Sequence, residues 1–132
     1  MKNTLLVKII LPSATLLSAD ARLINLPGEE GMFGVLPEHC KIISNLDNGI
    51  ISIFLEDHEQ KYFVYNAIAQ VTNEGLNILC EFAVDLATET KTSVMDHIVA
   101  LDFSHLDPVN DALQIGIIQD RLKKYQELLK FL

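Results

Sequence analysis

Four histidines, two cysteines and a surplus of acidic residues are the groups in this 132-residue chain that could do chemistry. His39, His58, His97 and His105 are scattered and lack metal-ligand spacing. His39 and Cys40 are adjacent, which suits neither one face of a strand nor an i, i+4 helical pair. Asp102, His105 and Asp107 lie close in sequence, but no nucleophile is placed to complete a triad, and a loop with helix-capping residues accounts for them. Glu29-Glu30 would need a pocket that tunes one carboxyl before it could serve as general acid and base. Glycines at 28 and 31 offer little burial there, so a solvated or partner-facing tip is the better account. Gly28-x-x-Gly31-x-x-Gly34 matches no phosphate-cradling loop and precedes no long helix, and no dinucleotide fingerprint occurs. The expectation is no catalytic, cofactor-binding or metal site.

The elements that carry these residues follow from patterning. Apolar residues make up 49% of the chain and charged ones 21%, enough for a packed core and against intrinsic disorder. A net charge of −8 argues against nucleic-acid binding and against docking on anionic lipid. Cys40 and Cys80 are too few for a disulfide framework and read as small buried thiols. Lys2, the apolar run from Leu5 to Leu17 and Ala19-Asp20-Ala21 imitate a signal peptide. Lys8 and Pro12 interrupt that run, so a strand over Leu5–Leu11 and a turn describe it better. No segment approaches 18 uninterrupted apolar residues, the length a spanning helix needs.

The chain divides near residue 87. Before it, short strand-like segments recur at Leu5–Leu11, Thr15–Ser18, Leu23–Leu26, Gly34–Leu36, Lys41–Ser44, Ile50–Leu55, Tyr62–Tyr65, Ile68–Thr72 and Leu76–Cys80. Asn48-Gly49 and Glu74-Gly75 are turn dipeptides, and Asp57-His58-Glu59-Gln60 reads as a hairpin tip. Such short, regular strands predict a sandwich or barrel. Beyond residue 87, Asp107-Pro108 predicts a helix start. Val109, Leu113, Ile117, Leu122, Tyr125, Leu129 and Leu132 would give that helix one apolar stripe that packs on protein. An earlier helix is expected around Thr92–Leu101.

The run Leu26-Pro27-Gly28-Glu29-Glu30-Gly31-Met32-Phe33-Gly34-Val35-Leu36-Pro37-Glu38-His39 resembles the Pro-Gly-x-x-Gly-x-x-Gly-x-x-Pro-x-His loop of the epsilon subunits of bacterial F-type ATP synthases. Val7 to Ala19, Leu46 to Ile51 and Val71 to Ala83 resemble other strands of that family, so the likeness covers residues 5–86. It implies a mainly β fold with α: a ten-stranded N-terminal β-sandwich over residues 1–87 and a C-terminal two-helix hairpin over 88–132. It implies a non-catalytic central-stalk subunit that helps couple proton flow to rotation. Its partners would be the gamma subunit and the c-ring, with the alpha and beta subunits reached through the C-terminal helices. Its place would be peripheral, on the cytoplasmic side of the cell inner membrane, bound there only through the complex.

Carried over by position, Glu29, Glu30, Gly31 and Met32 match the loop that faces the c-ring, and His39 matches a histidine near the gamma-facing surface. His39 could equally make the hydrogen bond that fixes the loop. Arg121, Lys123, Lys124 and Lys130 are the cations through which the tail would restrain ATP hydrolysis. Asn66-Ala67 stands where the family usually has Gly-Gly, so the local bend is expected to differ. The Asp-x-x-Arg-Ala motif through which some members bind ATP has no match, so no cofactor is expected. A small β-sandwich ligand-binding module with a helical oligomerisation tail is the alternative from another class. A hydrolase built on Glu29, Glu30 and His39 is the enzymatic one.

Overall fold

The computed structural model describes residues 3–38, 41–101 and 106–132. Backbone packing divides the chain into two units, residues 1–88 and 89–132. Among the described residues the first unit holds eight strands: β1 (Leu5–Ile10), β2 (Thr15–Ala21), β3 (Leu23–Gly28), β4 (Gly31–Val35), β5 (Ile42–Asn45), β6 (Gly49–Phe54), β7 (Glu59–Thr72) and β8 (Gly75–Asp85). Two of them are long enough to serve two sheets. The first half of β7 pairs with β6, its second half with β5, and β8 follows β7 along both halves.

One layer is therefore β2-β1-β8-β7-β5, with β1 parallel to the start of β8, and the other is β8-β7-β6-β3-β4. Each layer has five strands, so eight strands supply ten strand segments. Tyr62–Tyr65 and Ile68–Thr72, read as two strands in the sequence, are the two halves of β7.

The break between the halves is Asn66. Inward-facing residues are Tyr62 and Val64 before it and Ala67, Ala69 and Val71 after it, so the alternation changes parity there. Successive strand side chains point to opposite faces, so a parity change sends the strand's core face to the other layer. Asn66 makes the change with φ of 53°, a left-handed conformation that Asn tolerates better than most residues. Its backbone N–H donates to Asn48 Oδ1 at 2.7 Å, and its side-chain amide donates to Glu81 Oε2 at 3.0 Å. On β8, Leu76, Ile78 and Cys80 face the core before Glu81, and Ala83 packs against it after. The two strands thus change parity together, and Asn66 is a side-chain-braced pivot.

Between the layers lie Val7 and Ile9, Ile24 and Leu26, Ile51 and Ile53, and Leu76 and Ile78, all fully buried. At about 1.5–3 kcal/mol for each such side chain, this apolar layer dominates the unit's stability. Gly75 turns the β7–β8 hairpin with φ of 146°, and a Cβ there would collide with the Leu6 carbonyl oxygen.

The second unit has two helices, α1 (Lys91–Val99) and α2 (Ala112–Leu129). Thr90 opens α1 with a capping box: its hydroxyl accepts from Ser93 N at 3.1 Å, and Ser93 Oγ accepts from Thr90 N at 2.9 Å. The helix expected around Thr92–Leu101 thus starts one residue earlier and ends at Val99.

The expected helix start at Asp107-Pro108 is corrected. Asp107 does cap, accepting from Val109 N at 2.8 Å, and the N–H groups of Val109 and Asn110 hold its carboxyl below the usual range. What it caps is one isolated turn, closed by Asp111 N to Asp107 O at 2.9 Å. Asp111, at ψ of 22°, leaves helical geometry, and α2 begins at Ala112.

The single apolar stripe is corrected too. Val109, Leu113 and Ile117 are 83%, 80% and 51% exposed, whereas Leu122, Tyr125 and Leu129 are partly buried. Four-residue steps keep a side chain near one face, but the five-residue step from Ile117 to Leu122 rotates it by about 140°.

The pivot yields a direct test. Asn66→Val should lower stability by about 2–3 kcal/mol in urea unfolding, from a left-handed β-branched residue and the lost Glu81 bond. Asn66→Gly should lose only about 1 kcal/mol. Equal losses in the two variants would refute the backbone role.

Candidate functional site

The glycine-proline run is a hairpin rather than an open loop. Pro27 and Gly28 belong to the end of β3, opposite Met32 and Gly31 of β4, leaving only Glu29-Glu30 as the connection. This corrects the expected strand Gly34–Leu36: β4 starts three residues earlier and ends at Val35. Neither glutamate has positive φ; Gly31, at 129°, takes the backbone twist that closing so short a connection requires. A Cβ on Gly28 would meet the Gly31 carbonyl and the Phe33 ring at 2.8 Å, so that glycine lets the ring close over the backbone. Phe33 packs on the core while Met32 points out, 64% exposed.

The sequence-predicted contact residues Glu29, Glu30, Gly31 and Met32 thus sit together as an exposed, doubly acidic tip with one apolar side chain. His39 and Cys40 lie outside the described residues, as do Asp102 and His105. Past the tip, Glu38 stands at φ of 62°.

The four tail cations do not converge. Arg121 and Lys124 fall on one side of α2, and Lys123 and Lys130 on the opposite side. Lys124 is paired with Asp120 and Lys130 with Glu127, each at 2.9 Å.

Of the other candidate groups, His58 bonds Asp57 through Nδ1 at 2.6 Å on the exposed β6–β7 tip, and that bond holds the Asp57 carboxyl below its ordinary range. Cys80 is a free thiol in the core, and burial pushes it up to about 11. At neutral pH it is a protonated, inert packing group.

Sequence reasoning missed a surface on the first layer. Ile10 lies opposite Leu79, and Leu79 opposite Ile68. Ile43 stands two residues along β5 from Asn45, the partner of Ile68. These side chains face away from the core, and Ile43 is 74% exposed. The result is an apolar row crossing four strands on the outer face. A signal existed: Ile42-Ile43 and Ile78-Leu79 put apolar residues at both parities of a strand, which is what a sheet apolar on both faces requires.

Known proteins share this arrangement. The family model for the ATP synthase delta/epsilon chain β-sandwich domain matches residues 4–86. An ATP synthase epsilon chain of Rickettsia bellii is 35% identical over 107 residues, 79% of this chain and 99% of that relative. One from Rickettsia prowazekii is 32% identical over 97 residues, 71% of this chain and 87% of that relative.

Among solved structures, a chain of the Euglena gracilis mitochondrial ATP synthase OSCP/F1/c-ring assembly superposes with TM-score 0.65 at 18% identity, over 97% of this chain and 82% of that one. A chain of the Tetrahymena thermophila mitochondrial ATP synthase central stalk and c-ring gives 0.58 at 12%, over 97% and 98%. At those identities the structures attest the fold alone.

The inertness of Cys80 can be measured. In a Cys40→Ala background at pH 8, maleimide labelling should run about a hundredfold slower than on a free cysteine, and reach the free rate only on unfolding. Rapid labelling of the native protein would contradict the buried placement.

The glycine-shaped acidic hairpin, the sandwich whose two longest strands serve both layers, and relatives matched along nearly their whole length lead to one conclusion: the chain belongs to the ATP synthase epsilon chain family.

Proposed function

We propose that this chain works as a non-catalytic subunit of the rotating central stalk of an F-type ATP synthase, held between the gamma subunit and the c-ring. The observation that carries the reading is a stiff sandwich with two unlike exposed surfaces. One is the Glu29–Met32 tip; the other is the apolar row through Ile10, Leu79, Ile68 and Ile43. A coupling element needs this combination: a body that transmits torque without deforming, and separate contacts for the parts it joins. The family resemblance supports reading the tip as the ring contact and His39 as lying near gamma. The exposed apolar row supports assigning the outer face of the first layer to gamma, because contiguous apolar surface on a small soluble domain marks a protein contact.

The domain roles follow from the same reading. Residues 1–87 form the coupling body, and residues 88–132 form a helical element that can restrain ATP hydrolysis by reaching the alpha and beta subunits. Arg121 and Lys123 are the exposed cations of α2 outside the Asp120–Lys124 and Glu127–Lys130 pairs, and they are the proposed leading contacts with acidic segments of the catalytic head. The subunit lies peripherally on the cytoplasmic side of the cell inner membrane, through its complex. Among the described residues no helix is long and apolar enough to cross a membrane.

Co-purification with gamma tests the reading. The full chain and a chain ending at residue 87 should both retain gamma. Leu79→Asp combined with Ile68→Asp should weaken retention at least tenfold while leaving the far-ultraviolet circular dichroism unchanged. Full retention by the doubly charged variant would move gamma off this face, and no retention by the unaltered chain would end the stalk reading.

A further inference from the structure

We infer that His97 of α1 and Tyr125 of α2 form the latch that keeps the helical unit a closed hairpin; this rests on reading that unit as the movable part of a stalk subunit. The two rings stack 5.6 Å apart between centroids and only 11° from parallel, an offset arrangement that attracts beyond simple area burial. Each helix has one buried residue, Val94 on α1 and Leu128 on α2. Val94 precedes His97 by one turn and Leu128 follows Tyr125 by one turn, so each stacked ring lies beside the buried residue of its own helix.

Ile98 of α1 and Leu122 and Leu129 of α2 are partly buried. Met95 and Val99 of α1 are exposed, as are Leu113 and Ile117 of α2. With one fully buried side chain on each helix, a stacked aromatic pair is a substantial share of what holds α1 in place. At nine residues, α1 is also too short to persist alone, so its order depends on docking.

The N-terminal cap of α1 reaches the same ring. Glu89 Oε2 accepts from Ser93 Oγ at 2.6 Å, and Ser93 is the partner of Thr90 in the capping box. The other Glu89 oxygen, Oε1, stands 3.8 Å from His97 Nε2. The residues that start the helix and the residue that stacks on α2 are therefore one connected group. Loss of the stack should loosen the whole of α1 rather than one side chain.

Amide hydrogen exchange on the full chain tests the latch. His97→Ala and Tyr125→Ala should each speed exchange across α1 by about three- to tenfold. The effect of the double variant should fall well short of the product of the single effects, because both changes remove the stack. His97→Phe, which keeps a stacking ring and removes the nitrogens, should restore slow exchange. Amides of β6 should not change in any variant. Unchanged exchange in both single variants, multiplied effects in the double, or a His97→Phe variant as fast as His97→Ala would overturn the latch. ATP hydrolysis by synthase carrying His97→Ala reports separately on the stalk reading. Faster α1 exchange with unaltered hydrolysis would leave the latch standing and remove the regulatory role of the hairpin.

Discussion

Everything in the sandwich depends on one residue pair where β7 and β8 exchange their inner and outer faces. A strand alternates strictly, so a chain that must line one layer and then the other has to break the alternation once. Here both strands break it side by side, at Asn66 and Glu81, and the Asn66 amide ties the two together. The Asn66 backbone N–H is also tied, to the Asn48 side chain at the entry to β6. Without that pivot, β5 could not join the second half of β7 while β6 holds the first. The core between Val7, Ile9, Ile51 and Ile53 would then have no closing wall.

The two exposed surfaces are consequences of this closure. Because β5 pairs only with the second half of β7, Ile43 projects from the outer face and extends the apolar row begun by Ile10, Leu79 and Ile68. β3 pairs with β6 through Leu23, Ile24 and Asn25, and its far end, where the Pro27 carbonyl accepts from Asp47 N at 2.7 Å, runs on into the Glu29-Glu30 hairpin. The acidic tip and the apolar row are therefore held by the same framework. A load on one can reach the other through paired backbone rather than through flexible loops. The helical unit is built differently, with a capping box at the start of α1, two ion pairs along α2 and its C-terminal cap, and one buried residue on each helix. That contrast suits a stiff body carrying a movable appendage.

Much of this was legible in the sequence, for physical reasons. Period-two runs such as Ile51, Ile53 and Leu76, Ile78 declare their inner faces, and Asp107 and Gly75 declare a cap and a turn through backbone chemistry local to each residue. The family identity was legible because the glycines of the β3–β4 hairpin are fixed by close approach, as Gly28 under Phe33 shows.

What was not legible depended on partners distant in sequence. The continuity of β7 through Asn66 depends on Asn48 and Glu81, eighteen and fifteen residues away. The exposed stripe Val109–Ile117 was read as packed because its spacing is helical, but spacing alone does not say which neighbour exists. The tip residues were found by family position, whereas the apolar row needed the strand order before its members could be seen side by side.

The central claim is that the sandwich meets its two partners through the hairpin tip and through the outer face of the first layer. Hydrogen exchange on the free chain and on the chain assembled into the synthase tests it most directly. The account expects new protection at residues 29–32 and along β5 and the start of β8, with amides at the centre of β6 unchanged. Protection confined to α1 and α2, with the tip and the outer face exchanging as in the free chain, would contradict it.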